Sequence, residues 1–426
     1  MSATMEKKKP RFRMLGKDPY SIPLDKFDVS EEELYESDTI FGFFERMRKE
    51  DPVHYCKESR YGPYWSVTKF KDIMEVESYP EIYSAEPLVI IQYLTEDFEI
   101  SMFIAMDEPA HGHQRRTVQG AVAPRNLAKM EGLIRERVGI ILDALPVGET
   151  FNWVDKVSIE LTGQMLATLF DFPFEDRRLL TYWSDVATTG RPAPGLIVET
   201  AEERNRIMLQ DCMGTFVKMW KERAAKPPQI DLISMMAHGE ETKDMPFKRP
   251  MEFMGNLMLL IIGGNDTTRN SISASVLLLN EFPDQYKKLR ENPELVTNMV
   301  PEVIRLQSPV VHIRRTATQD TVLGGKQIKK GDKVVMWFVS GNRDEEVIEN
   351  PNDFIIDRDK SRHHLSFGFG IHRCMGNRLA EMQIRVLWEE ILKRFEKIEV
   401  VGDVVRVNSN IIRGIAELPV RIHPLK

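Results

Sequence analysis

The chain has 426 residues, 42% of them hydrophobic and 29% charged, which is ample material for a core and the balance of an ordinary globular protein. A formal net charge of −7 excludes nucleic acid as an expected partner. The longest wholly apolar runs, such as Leu257 to Ile262, are far too short to cross a bilayer, so no membrane span is expected.

Residues 1–30 are polar and contain prolines, and they read as a loosely ordered N-terminal arm. No linker or repeat interrupts residues 31–426, which read as one domain. Lys7, Lys8 and Lys9 have no apolar stretch behind them, so no signal peptide is expected and the expected location is the cytoplasm. "VHYCKESRYGPYWSV" (53–67) predicts a hairpin around Gly62-Pro63. A largely apolar loop occupies 88–106. From 110 to 308 the pattern is mostly helical, with apolar residues three and four apart over 131–145, 159–169, 201–224 and 284–290. Short strands are expected within 320–339 and again near 398–405 and 418–422. The reading is mainly α with small β-sheets at the two ends of the chain.

One helix stands out. Pro250 suits a first turn and Pro283 a stop, with no proline between them. The span would be about 45 Å at 1.5 Å per residue. Its middle carries Gly263-Gly264, then Asn265, Asp266, Thr267 and Thr268. Each interior glycine costs about 1 kcal/mol relative to alanine. Packing against a neighbour could explain the glycines but not the polar residues beside them. Something flat or bulky approaching this backbone explains both.

The cysteines are Cys56, Cys212 and Cys374, with no CxxC pair among them. Cys56 in a strand-like run and Cys212 in a helical one read as small hydrophobes. Cys374 lies in "SFGFGIHRCMGNRLAE" (366–381), just before a helix whose apolar stripe is Leu379, Ala380, Ile384, Leu387, Trp388, Ile391 and Phe395. A helix N-terminus favours negative charge. Gly368, Gly370 and Gly376 allow several N–H groups to face one sulfur. No Asp or Glu occurs between Arg362 and Ala380, whereas Arg373, Arg378 and three histidines do. Everything local favours a thiolate, which could be a nucleophile, a redox switch or a metal ligand. A thiolate facing a gapped polar helix suits a planar metal cofactor held between them.

Three motifs in this order carry a resemblance. "FGFGIHRCMG" (367–376) resembles the Phe-x-x-Gly-x-basic-x-Cys-x-Gly haem-binding signature of the cytochrome P-450 superfamily, the haem-thiolate monooxygenases. "GGNDTT" (263–268) is similar to that family's oxygen-activation segment, and "EVIR" (302–305) to its Glu-x-x-Arg pair. "GGNDTTRNSIS" and "SFGFGIHRCMGNRLAE" are most similar to the soluble bacterial enzymes that hydroxylate linear alkanes and fatty acids at the terminal carbon. Bacterial terpene and sterol hydroxylases share much of this wording.

The resemblance implies a single large helical fold with the long central helix over haem b (iron protoporphyrin IX). It makes Cys374 the axial ligand of the iron, set in the loop that includes Phe367 and Gly370. The candidates for the haem propionates are His111, Arg115, Arg315 and His372. Thr267 is expected to hold a hydrogen bond at the reacting oxygen and Asp266 to relay protons. Glu302 and Arg305 are expected to form a structural ion pair, completed by Arg358 or a nearby histidine. Helical spacing back from Thr267 puts Gly263, Ile262 and Leu259 on the face that meets the haem. Family position adds Val311, Ile411, Ile412 and the 88–106 loop to a pocket for an apolar substrate. The other expected partners are O2 and a ferredoxin with its reductase, docking on a basic face near Arg362, Arg373 and Arg378. The rival readings are a terpene or sterol hydroxylase, a peroxide-driven enzyme of the same fold, and a haem-thiolate protein that binds ligands without turnover.

Overall fold

The computed structural model describes residues 12–92, 101–188, 198 and 200–425. Helices form the bulk of it and small sheets the remainder, as the periodicity predicts. The expected helices correspond to Pro124–Asp143, Glu160–Phe170, a run from Ala201 to Ala224, and Pro283–Glu291. The first begins earlier than the apolar spacing suggests because Pro124 occupies its first turn. The third contains a π-helical turn, Ile207–Cys212.

The long helix is Pro250–Glu281, 32 residues. Pro283 does not end it but opens the next helix, and the break falls at Phe282, with φ −119° and ψ 71°. Glu160–Phe170, Arg178–Thr188, Val296–Gln307 and Asn377–Arg394 all pack against the long helix, so it is buried on most sides. Its serines are matched rather than stranded. Ser273 meets Ser158 at 2.8 Å, and the indole N–H of Trp388 donates to Ser275 at 2.7 Å. The two glycines serve different ends. A Cβ on Gly264 would come within 2.7 Å of the Leu166 side chain, so this glycine admits the neighbouring helix. Among the described residues, a Cβ on Gly263 would meet nothing within 4 Å.

Five strands, β1 (Val53–Cys56), β2 (Tyr64–Val67), β3 (Tyr83–Ser84), β4 (His312–Ala317) and β5 (Lys333–Trp337), form one sheet in the order β1-β2-β5-β4-β3. The predicted hairpin is β1–β2, with Val53 opposite Val67 and Gly62 at φ +72° in its turn. Near the C-terminus, Pro419–Pro424 pairs with Phe395–Val400 on one side and with Thr150–Asn152 on the other.

Residues 12–30 depart from the expected loose arm. Met14, Phe27 and Val29 are buried in one cluster with Phe43, Phe44 and Trp337, and Glu31 accepts the Met14 N–H at 3.1 Å. Three widely spaced apolar residues make no period, so nothing in the pattern announces this packing. Residues 1–11 of that arm lie outside the described residues. Cys56 and Cys212 are buried, and burial pushes the Cys212 thiol up, in keeping with small hydrophobes.

Glu302 and Arg305 are fully buried, and two Arg305 nitrogens donate to Glu302 at 2.7 and 2.8 Å. The third member is Arg358, whose Nε donates to Glu302 at 3.0 Å. Arg305 also donates to the carbonyls of Asn342 and Pro351 at 2.8 and 2.7 Å, tying this helix to the chain that leads to Cys374.

Candidate active site

The loop before helix Asn377–Arg394 is held from both sides. Asn342 accepts the Leu365 N–H at 2.6 Å, and Ser366 donates to the Ile304 carbonyl at 2.8 Å. Gly368 and Gly370 have φ of +68° and +67°, which other residues rarely adopt. The Cys374 N–H donates to the Phe367 carbonyl at 2.8 Å, closing the loop on itself. Gly376 is the N-cap at an ordinary φ of −89°, so its part is a small cap beside the sulfur rather than a left-handed turn.

Cys374 retains accessible surface, yet burial by surrounding protein is the largest influence on its thiol. Both hold if the sulfur faces an internal space. Burial wins over the amides of Gly376 and Asn377 and the charges of Arg115 and Arg373, and holds the thiol above its usual range. The amides and the cation of the loop itself do favour the thiolate, as expected, and burial overrides them. The apolar surroundings, invisible in the local sequence, outweigh the local cations. A thiol raised by burial is a poor nucleophile, whereas a coordinated metal deprotonates a thiol outright. The donor set therefore fits a metal ligand better than a free nucleophile.

Basic side chains gather on one flank. The rings of His111 and His372 lie 4.0 Å apart. Arg115 donates to the Arg373 carbonyl at 2.5 Å, and Arg315 is buried. Among the described residues, neither ring nitrogen of His372 has a hydrogen-bond partner, although both are buried. Burial, then Arg315, His111 and Arg115, push His372 down to about 2. Three basic groups, Arg315, His111 and Arg115, around the unpartnered nitrogens of His372 fit an anionic ligand, as the carboxylates of a porphyrin would be.

One carboxylate from far away in sequence joins them. Glu77, at the end of helix Phe70–Ser78, accepts the Phe369 N–H at 2.6 Å and faces Arg315 at 3.6 Å. Burial raises its carboxyl to about 7 against the pull of Arg315 and the Phe369 amide. A Cβ on Gly370 would overlap the Glu77 carbonyl, so the glycine lets this helix dock on the loop.

On the long helix, Gly263 is exposed and Leu259, Ile262 and Thr267 are partly accessible, while Leu257, Met258, Leu260, Ile261, Asn265, Asp266 and Thr268 are buried. A stripe open in the middle of a helix enclosed by its neighbours looks onto an internal space. The Thr267 hydroxyl donates to the Gly263 carbonyl at 2.8 Å. Asp266 turns the other way. Its carboxylate receives Ser184 at 3.2 Å, Asn265 at 2.9 Å and Arg269 at 3.1 Å, and Arg269 continues to Asp185 at 2.8 Å. Burial raises the Asp266 carboxyl, with Arg269 opposing it.

Of the other residues expected at a pocket, Ile411 is partly accessible and Ile412 is buried, bridged to Val310. Val311 departs from the expectation. It is fully buried in the cluster of Ile91, Trp337 and Val339, so its side chain belongs to the core, with the partly accessible Val310 beside it. Strand-like alternation makes such a one-residue offset decisive. In the 88–106 loop, residues 93–100 lie outside the described residues. Arg362, His364, Phe367, Arg373, Asn377, Arg378 and Glu381 line a depression of about 300 Å³ beside the Cys374 loop. Arg362 is paired with Glu381 at 2.9 Å, so this face is less basic than its arginines alone suggest.

The family model described as Cytochrome P450 matches residues 89–412. Among solved structures, the chain is similar to cytochrome P450-153 from Novosphingobium aromaticivorans, with 45% identity and a TM-score of 0.86 over 93% of this chain and 99% of that one. Linalool 8-monooxygenase from Pseudomonas putida is 34% identical over 412 residues, 94% of this chain and 100% of that protein. A methyl-branched lipid omega-hydroxylase from Mycobacterium tuberculosis is 28% identical over 423 residues, 96% of this chain and 97% of that protein.

Proposed function

The chain belongs to the cytochrome P450 family, and on that premise we propose that this haem-thiolate monooxygenase hydroxylates the terminal carbon of medium-chain linear alkanes or fatty acids. The observation that carries the reading is the accessible stripe Leu259, Ile262, Gly263 and Thr267, apolar up to its single hydroxyl. A relative named for lipid omega-hydroxylation supports it.

In this reading the cofactor is haem b, which supplies oxygen activation when bound. Cys374 offers it a sulfur ligand, and Phe367 and Gly370 shape the loop around that sulfur. His111, Arg115, Arg315 and His372 hold its propionates. Thr267 holds a hydrogen bond at the reacting oxygen. Asp266 serves Thr267 with protons by turning from Ser184, Asn265 and Arg269, and Arg269 with Asp185 anchors it to helix Arg178–Thr188 meanwhile. A ferredoxin, reduced by its own reductase, docks beside Arg373 and Arg378.

Terminal attack needs a constraint, because C–H bonds of a methyl group are stronger than those of the methylenes behind it. Chemistry alone favours the inner carbons. Ile262 and Ile411 supply the bulk, and Gly263 the gap, for an opening that admits only a chain end. Val311 supports this wall from the core side.

A titration of the haem spectrum tests the substrate class. Each methylene buried from water is worth about 0.8 kcal/mol, so affinity rises about fourfold per carbon along a linear series until the channel is full. A flat response to chain length, with tight binding of linalool or sterols instead, overturns the linear-chain reading and favours the terpene or sterol one.

A further inference from the structure

We propose that His312, as a neutral imidazole protonated on Nδ1, is a positioning residue that locks three chain segments into one distal wall and thereby influences which substrate carbon reacts. The proposal rests on the reading above, in which this wall borders the substrate.

His312 opens β4 and is fully buried. Its Nδ1 lies 2.8 Å from the Asn410 carbonyl oxygen, and the Ile91 N–H reaches its Nε2 at 3.1 Å. An amide N–H can only donate, so Nε2 is the acceptor. A carbonyl can only accept, so Nδ1 carries the proton. One tautomer satisfies both bonds, and a doubly protonated ring satisfies only one. Burial pushes the imidazole down to about 4, which keeps the acceptor free of a proton at neutral pH. Trp337 packs against the ring with centroids 4.9 Å apart and limits its rotation.

The two segments it grips are those expected to face substrate. Ile91 and Gln92 belong to the 88–106 loop, and Asn410 precedes Ile411 and Ile412. The same segments are tied pairwise around the imidazole. The Val311 N–H donates to the Ile411 carbonyl at 2.8 Å, and the Arg314 N–H to the Val89 carbonyl at 2.7 Å. The Gln92 amide donates to the Asn410 side chain at 2.9 Å, and the Asn410 amide donates to the Ser30 carbonyl at 2.7 Å. Each of these bonds joins two segments, whereas the imidazole joins three. A small displacement of such a wall is enough to change which carbon lies nearest the reacting centre.

Two half-isosteres separate the bonds in the haem-loaded full chain. In His312→Asn the amide nitrogen can still serve Asn410 but nothing reaches Ile91. In His312→Gln the longer side chain can serve Ile91 and gives up Asn410. Amide hydrogen exchange is followed over 88–92 and 409–412, together with the product ratio. Loss of one hydrogen bond predicts exchange faster by about fivefold in 88–92 for the Asn variant and in 409–412 for the Gln variant. Both variants should raise KM by a similar factor, change kcat little and alter the ratio of alcohol products, with haem content unchanged. Lower melting temperatures with unaltered exchange and product ratio would reduce His312 to a core histidine and overturn the proposal. Nitrogen NMR of the unmutated protein provides a check independent of the variants, because a proton on Nε2 of His312 contradicts the assignment. If the unmutated enzyme makes no terminal alcohol, the substrate reading fails, while His312 is still judged by the change in whatever ratio that enzyme gives.

Discussion

Thr267 and Asp266 are adjacent in sequence and opposite in surroundings. The threonine lies on the accessible stripe with its hydroxyl on the Gly263 carbonyl, and the aspartate is buried against Ser184, Asn265 and Arg269. That division suits an alcohol at the reacting oxygen, and gives the acid a role there only when it turns from the partners that hold it. Thr267→Ala should load haem and bind substrate normally but lower the product formed per NADH by at least about tenfold, the missing electrons appearing as peroxide. Thr267→Ser should recover most of the coupling. Product and NADH consumption measured together give the answer, and full coupling in the alanine variant removes Thr267 from proton delivery. The acid–alcohol pair was legible as a motif. Glu77 and His312 were not, because each meets its partners only through the fold, Phe369 and Arg315 for one and Ile91 and Asn410 for the other.

At the scale of elements, helices Pro124–Asp143 and Asn377–Arg394 are clamped by a charge network centred on Glu390. Burial alone would raise the Glu390 carboxyl, but Lys393, Arg135 and Arg394 bring it from 4.5 down to about 2. Because the folded value lies below the unfolded one, the stabilisation is present above pH 4.5 and is lost as pH falls from 4.5 toward 2. Glu390→Gln should cost about 1 kcal/mol at pH 7, the scale of a partly exposed network. Denaturant unfolding at several pH values should show the gap between variant and parent narrowing below pH 4.5, and a gap that widens on acidification contradicts the network. The Glu302, Arg305 and Arg358 triad is a different kind of element, fully enclosed and braced by carbonyls of the chain leading to Cys374. Its first two members were legible through the resemblance of "EVIR" to the family's Glu-x-x-Arg pair. Arg358 was one of two alternatives, since the approach of a third side chain depends on the path of the loop.

The whole molecule brings residues 77, 111, 115 and 315 to a loop at 366–376, which leads into a helix packed on the long one. Periodicity and proline spacing made the helices legible, and glycine spacing made the loop legible, because those signals are local. The buried state of Cys374, the core position of Val311 and the packing of residues 12–30 were not, because each depends on what surrounds a residue from elsewhere in the chain. The central claim is that this assembly presents only a chain end to the reacting centre. Product analysis after turnover of n-octane and dodecanoic acid with NADH, ferredoxin and its reductase tests it most directly. The account predicts the 1-alcohol and the ω-hydroxy acid as the main products, with a shift toward the adjacent internal alcohols in Ile262→Ala. Mainly internal alcohols from the unmutated enzyme would contradict it.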